Sequence, residues 1–228
     1  MIDVVYVLGS GSQYNNRELR LSLRCLEANG KNIGKIFIVG EKPDWIQNVN
    51  YIPAKDDSVK ELNTFRKVLL ACRNGVSTNF LYMNDDFYMT KPFDAKTYPY
   101  FSMGELKAIN NPSRYQMVSN KTLNLLHKLG IEKVMDFRGH CPMLYNRKKF
   151  LDLEQFYKDV KNIGFEFRTI YGNLYAKEYL NGFDCKVFGR NGMFDNIQGC
   201  NSSSDENTTL LDEIETIYNK PSKYEKSS

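Results

Sequence analysis

Apolar runs of strand length alternate with segments of helical period through the first hundred residues, and this alternation constrains the fold most. Ile2–Leu8 is dense in β-branched residues and is broken by Gly9-Ser10-Gly11-Ser12, a strand followed by a turn. Asn16–Asn29 reads as a helix. Leu19, Leu23 and Leu26 form its apolar face, Asn15 or Asn16 caps it, and Asn29-Gly30 ends it. Lys35–Val39 is a second strand, closed by the turn Gly40-Glu41-Lys42-Pro43, and Val49–Ile52 is a shorter third. Val59–Arg73 is a helix with Leu62, Phe65, Leu69 and Ala71 or Cys72 inward, and Phe80–Met83 is the next strand. The order β-α-β-β-α-β predicts an α/β fold, a mixed and mainly parallel sheet flanked by helices.

The second half is less regular. It predicts helices over Asn120–Leu129, Phe150–Ile163, Thr169–Leu180 and Leu210–Tyr218, a strand at Met143-Leu144-Tyr145, and a polar loop over Asn201–Asn207. With 228 residues, no repeat and no strong linker, the chain reads as one domain (1–228), with residues 1–100 and 101–228 as its halves. Hydrophobic content of 42% and aromatic content of 13% exclude disorder, and a net charge of +4 lacks the dense basic stripe of a nucleic-acid protein. Five widely spaced cysteines without a Cys-x-x-Cys pair predict reduced thiols. No apolar run reaches transmembrane length, and Ile2 opens a strand where a signal peptide would have a basic start. The expectation is a cytoplasmic protein.

Chemistry concentrates where Phe80-Leu81-Tyr82-Met83 runs into Asn84-Asp85-Asp86. Two carboxylates at the carboxyl edge of a buried strand are placed to hold Mg²⁺ or Mn²⁺ against a diphosphate, although an Asp-Asp pair also suits a plain solvated turn. The small residues Gly9 and Ser10 let a nucleotide approach the backbone, but lack the spacing of a dinucleotide-binding or P-loop turn. Glu18 and Arg20 sit among Arg17 and Arg24, either as site residues or as a charged helix face. His140 lies in the Gly139-His140-Cys141-Pro142 turn and suits a general base, whereas His127 reads as structural. Arg168 and Arg190 are candidates to pair a phosphate.

Taken in order, these segments resemble the Stealth family of hexose-1-phosphate transferases. Ile2-Asp3-Val4-Val5-Tyr6 and Asn16–Arg24 are similar to its first region. Ile36–Val39, Pro43-Asp44-Trp45 and Tyr82–Phe87 resemble the second, and Gly139-His140-Cys141-Pro142 the third. Leu211–Tyr218 with Pro221–Glu225 looks like the family's C-terminal end. The resemblance implies a GT-A-like fold, a nucleotide-diphospho-sugar donor and a divalent metal at Asp85 and Asp86. It also implies Glu18 and Arg20 in the active site, His140 as a catalytic candidate, and Arg168 as the match to an arginine of the third region. The chain departs where the family continues Thr-Trp-Val-Asp-Gly-Ser-Asp, because Val7–Ser12 has neither acid nor Trp. It also departs at Asn63–Lys67, where the family has Pro-Thr-Phe-Asn-Ser, and at Asn201-Ser202, where it has Asn-Asp.

The expected activity is transfer of a sugar or sugar-1-phosphate to an acceptor hydroxyl, in glycan or cell-surface polysaccharide synthesis. His140, Asp86 and Glu18 would be catalytic; Arg20, Gly9, Ser10 and Arg168 would bind the donor. Two alternatives stand beside it: a glycosyltransferase acting on hydroxymethylated DNA bases, and an inactive module that binds sugar nucleotides.

Overall fold

The computed structural model describes residues 1–9, 14–159, 164–189, 191–204 and 207–226. Its strands are β1 (Ile2–Leu8), β2 (Gly30–Lys31), β3 (Ile33–Gly40), β4 (Asn50–Pro53), β5 (Asn79–Met83), β6 (Phe87–Met89), β7 (Phe93–Asp94), β8 (Phe101–Ser102), β9 (Met143–Asn146), β10 (Leu180–Asn181), β11 (Lys186–Val187) and β12 (Cys200–Ser203). The helices are α1 (Arg17–Asn29), α2 (Lys60–Arg73), α3 (Arg114–Lys128), α4 (Arg147–Asp152), α5 (Phe167–Tyr175) and α6 (Thr208–Ile217).

The central sheet has the order β4-β3-β1-β5-β9. Four neighbouring strands are parallel, and β9 closes the edge antiparallel to β5. This is the mixed, mainly parallel α/β architecture that the segment order predicts. Period-2 alternation explains why the strands are apolar throughout. Val5, Phe37, Val39, Phe80 and Tyr82 pack with α2, whereas Val4, Tyr6, Leu8, Ile36, Ile38, Leu81 and Met83 pack with Leu19, Leu23 and Leu26 of α1. Both faces are buried, and Phe65 sits 4.8 Å from Phe165 and 5.6 Å from Phe150, ring to ring.

Several expected elements change in the structure. Neither Asn15 nor Asn16 caps α1 through its side chain; both adopt left-handed backbone. The helix expected from Asn120 starts at Arg114, because Ser113 and Gln116 form a reciprocal capping box. The helix expected over Phe150–Ile163 is α4 followed by a 3₁₀ segment, Leu153–Asp159; residues 160–163 lie outside the described residues. Phe150, Leu153 and Phe156 are all buried, and their three-residue spacing suits the tighter helix. The helix expected over Thr169–Leu180 runs from Phe167 to Tyr175, and Leu180 belongs to a strand. The polar loop expected from Asn201 begins as β12, paired antiparallel with β6. Its serines are buried because their hydroxyls serve acidic side chains, so polar composition hid a strand.

All five cysteines are buried free thiols. Among the described residues no helix is long and apolar enough to cross a membrane.

The chain's last segment locks onto α1. Arg24 Nε and Nη2 each donate to the Glu225 carboxylate at 2.8 Å, and Glu225 also accepts from the Ser222 N–H at 2.8 Å. Burial pushes the Glu225 carboxyl up, but the Arg24 bonds outweigh it and hold it below the usual range.

Candidate active site

Beyond the carboxyl ends of β1, β4 and β5 opens a cleft of about 680 Å³. Parallel sheets leave such a crevice because their strand ends diverge where the connecting loops part. Two strand ends are pinched together next to its lining residues Val7, Gly9 and Lys67. Gly40 has φ +124°, and a Cβ there would fall 1.9 Å from Leu8 O. Buried Lys67 of α2 donates to that same Leu8 carbonyl at 2.7 Å and pairs with Asp56 at 2.6 Å. Gly9 lies beside this pair, and a Cβ on it would stand 3.1 Å from Asp56 Oδ2.

One wall is acidic. Glu18 from the first turn of α1 and Asp85 and Asp86 from the end of β5 all line the cleft. Ser202 Oγ donates to Asp86 Oδ2 at 2.7 Å, and Ser203 Oγ donates to Glu18 Oε1 at 2.9 Å. Ser202 is the residue that stands where the resemblance expects an acid. Burial, then Asp86, then Glu18 push the Asp85 carboxyl up to about 7. Lys60, Arg138 and Lys186 line the same cleft.

Sequence distance is bridged at His140. Its Nδ1 lies 2.5 Å from Asp184 Oδ1, and the same carboxylate oxygen accepts the backbone N–H groups of His140 (3.3 Å) and Lys186 (3.1 Å). Burial raises the Asp184 carboxyl, but the His140 bond and its charge prevail and lower it. Arg168 braces this turn from behind: its Nη2 donates to Gly139 O at 2.8 Å and Cys141 O at 2.6 Å.

No family model matches the chain, and no curated protein matches it in sequence. Solved structures do. The galactosyltransferase LgtC, in complex with donor and acceptor sugar analogues, is similar at 14% identity over 79% of this chain and 73% of that one, with a TM-score of 0.45. The glycosyltransferase GlyE of Streptococcus pneumoniae TIGR4 is 13% identical over 81% of this chain and 45% of its own, with a TM-score of 0.41. The 4-diphosphocytidyl-2C-methyl-D-erythritol synthase of Anaerococcus prevotii is 11% identical over 96% of each chain, with a TM-score of 0.42. Likenesses at this level assign neither substrate nor mechanism to this chain.

Of the residues singled out in the sequence, the cleft brings together Gly9, Glu18, Asp85, Asp86, His140 and Arg168. Arg20 is not in its lining. Its guanidinium stacks 4.4 Å from the centroid of Trp45 and lies 3.6 Å from Glu225. Arg17 is committed to Asp212 and Glu215, and Arg24 to Glu225, so this charged helix face is a docking surface for α6 and the last segment. His127 is exposed on the last turn of α3, apart from the lining. Ser10 and Arg190 lie outside the described residues. Sequence reading missed Asp56, Lys67, Arg138, Glu166, Asp184 and Lys186. Only Lys67 had a local signal, a lysine on the inward face of an amphipathic helix.

Among the described residues no group of three or more His, Cys, Asp and Glu side chains is arranged to enclose a metal ion. Mg²⁺ needs no such cage when substrate phosphates and water complete its shell, so one or two carboxylates suffice. Asp85 and Asp86 fit that mode: hard oxygen donors on a cleft wall whose mutual repulsion a cation would relieve.

Asp184 fixes the imidazole ring by accepting at Nδ1, which leaves Nε2 as the proton-accepting nitrogen. Were His140 to move a proton, Asp184→Asn would be expected to lower turnover at least about 10-fold with the fold retained, because the orientation and tautomer of His140 would no longer be set. Unchanged kcat in that variant would remove the pair from the chemistry.

Proposed function

We propose that the chain is a transferase that uses a nucleotide-diphospho-sugar and a divalent cation, and delivers the sugar to an acceptor hydroxyl. One observation carries this reading. Three acidic side chains at the carboxyl edge of the parallel sheet share a single cleft with a histidine–aspartate pair and several cationic side chains. The order of the motifs similar to the Stealth family supports it, and so does the GT-A-like arrangement of a mainly parallel sheet that ends in the acid pair.

The roles follow from position. Asp85 and Asp86 would hold Mg²⁺ or Mn²⁺, which supplies neutralisation of the diphosphate charge. Lys60 and Lys186, which line the cleft, would attract the donor's phosphates into it. Gly9 leaves room for the nucleotide beside Asp56 and Lys67. His140, oriented by Asp184, would accept the proton of the attacking hydroxyl at Nε2. Arg168 holds the turn that presents His140.

Incubation with a panel of nucleotide sugars, Mn²⁺ and simple saccharide acceptors tests the reading. We expect turnover with at least one donor. A released nucleoside diphosphate marks sugar transfer, and a released monophosphate marks sugar-1-phosphate transfer. Absence of turnover, and of any thermal stabilisation by the nucleotides with Mn²⁺, would reject the reading.

A further inference from the structure

The opening of α5 leaves two polar atoms of cleft residues buried and without a partner, Glu166 Oε1 and Arg168 Nε. Buried polar groups are nearly always paired, so a lone acceptor and a lone donor in the lining of one cleft call for a ligand that can serve them. Charge narrows the ligand. Arg138 and Arg168 flank Glu166 and disfavour a cation there, while the carboxylate, with Glu61 and Asp136 near it, disfavours a phosphate. A neutral molecule with several hydroxyls meets both demands, because each O–H donates to a carboxylate and its oxygen accepts from a guanidinium. The half-exposed Tyr115 offers a ring face to a sugar in the same cleft, whose lining also includes the buried Phe165 and Phe167. The Arg138 guanidinium is 5.7 Å from the Tyr115 centroid and is held by Asp136 at 2.6 Å, so this wall is preorganised.

We infer that Glu166 determines acceptor specificity, its carboxylate receiving a hydroxyl of a saccharide acceptor on the wall formed with Arg138 and Tyr115. The inference rests on the transferase reading for the word acceptor, but the saccharide contact stands on these residues alone. Burial, with Glu61 adding and Arg138 and Arg168 opposing, pushes the Glu166 carboxyl up to about 7, while Tyr82, Tyr115 and Asp136 complete its titratable surroundings. Saccharide binding should therefore strengthen as the pH rises through 7 and the carboxylate forms.

The test is an amide NMR titration of the full chain with methyl α-D-glucopyranoside, methyl β-D-galactopyranoside and methyl N-acetyl-β-D-glucosaminide, without nucleotide. UDP and GDP, each with Mn²⁺, are titrated separately. We expect at least one glycoside to bind the wild type. Glu166→Gln should weaken it at least about fivefold, the scale of one lost hydrogen bond, and leave nucleotide affinity unchanged. Glu166→Gln is near-isosteric and removes a charge that burial opposes, so it should fold at least as well as the wild type at pH 7.5. No glycoside binding in the wild type, equal binding in the variant, or a loss confined to the nucleotides would overturn the inference. Failure of the transferase reading is seen separately, as the absence of nucleotide binding while the glycoside arm is unaffected.

Discussion

Asp85→Asn should lower turnover at least about 100-fold and at the same time make the protein harder to unfold at pH 8. Both effects come from one arrangement. Asp85 is pushed up to about 7 by burial and by Asp86 and Glu18, so charging it in the folded state is unfavourable. In the unfolded chain it ionises near the ordinary aspartate value of about 4. Between those two pH values the folded state binds the extra proton, and stability therefore falls as pH rises from about 4 to about 7. Asparagine removes this loss. The unfolding midpoint of Asp85→Asn should exceed that of the wild type by at least about 2 °C at pH 8 and match it near pH 4. Activity falls because the carboxylate that costs stability is the one that would face the cation and diphosphate. A variant that is both less stable and fully active would place Asp85 in an ordinary structural role.

The second large effect lies away from the cleft. Glu225→Ala should destabilise the protein by about 3 kcal/mol, since it takes from the buried Arg24 guanidinium the carboxylate at 2.8 Å and leaves it only the Tyr218 carbonyl at 3.3 Å and the half-exposed Glu215 at 4.0 Å. Arg24 and Glu225 are only 9% and 3% exposed as side chains, so solvent does not rescue the loss. The sign of the pH dependence is opposite to that of Asp85. Burial raises the Glu225 carboxyl but Arg24 lowers it further, so its contribution is present above the ordinary glutamate value of about 4.3 and is lost as pH falls through the lower folded value. The gap between wild type and variant should thus narrow in acid. Arg73→Ala serves as the control: Arg73 and Glu154 are 2.6 Å apart but each 49% exposed, and their loss should cost no more than about 1 kcal/mol. Chemical denaturation of the three proteins at pH 7.5 and pH 4 checks both statements.

What the sequence makes legible depends on whether local chemistry or tertiary contact decides each element. The strands of the first half are continuous apolar runs between helices with clear faces. Leu19, Leu23, Leu26, Leu62, Phe65 and Leu69 are inward in the fold as their spacing requires. The two-residue strands β2, β7, β8, β10 and β11 have no local signature, because they exist only through pairing with segments elsewhere in the chain. Asn201–Ser203 reads as loop because its serines answer to Asp86 and Glu18 more than to strand propensity.

The site divides in the same way. Asp85-Asp86 and His140 stand out because a strand end and a Gly-Pro turn mark them. Asp184 is 44 residues from His140 and has no motif around it, so only the fold reveals the pair. In the sequence Arg20 reads as a site residue for its company with Glu18. Helical geometry places the two on different faces, and the arginine goes to Trp45 and Glu225.

Mn²⁺ binding followed by electron paramagnetic resonance, with and without UDP or GDP, tests the role of the acid pair as the seat of a cation and a diphosphate. Weak Mn²⁺ uptake is expected of the wild type alone, and markedly tighter uptake with a nucleoside diphosphate. Both should strengthen as pH rises through 7 and fall away in Asp85→Asn. Nucleotide binding that is indifferent to Mn²⁺ and unchanged in Asp85→Asn would contradict it.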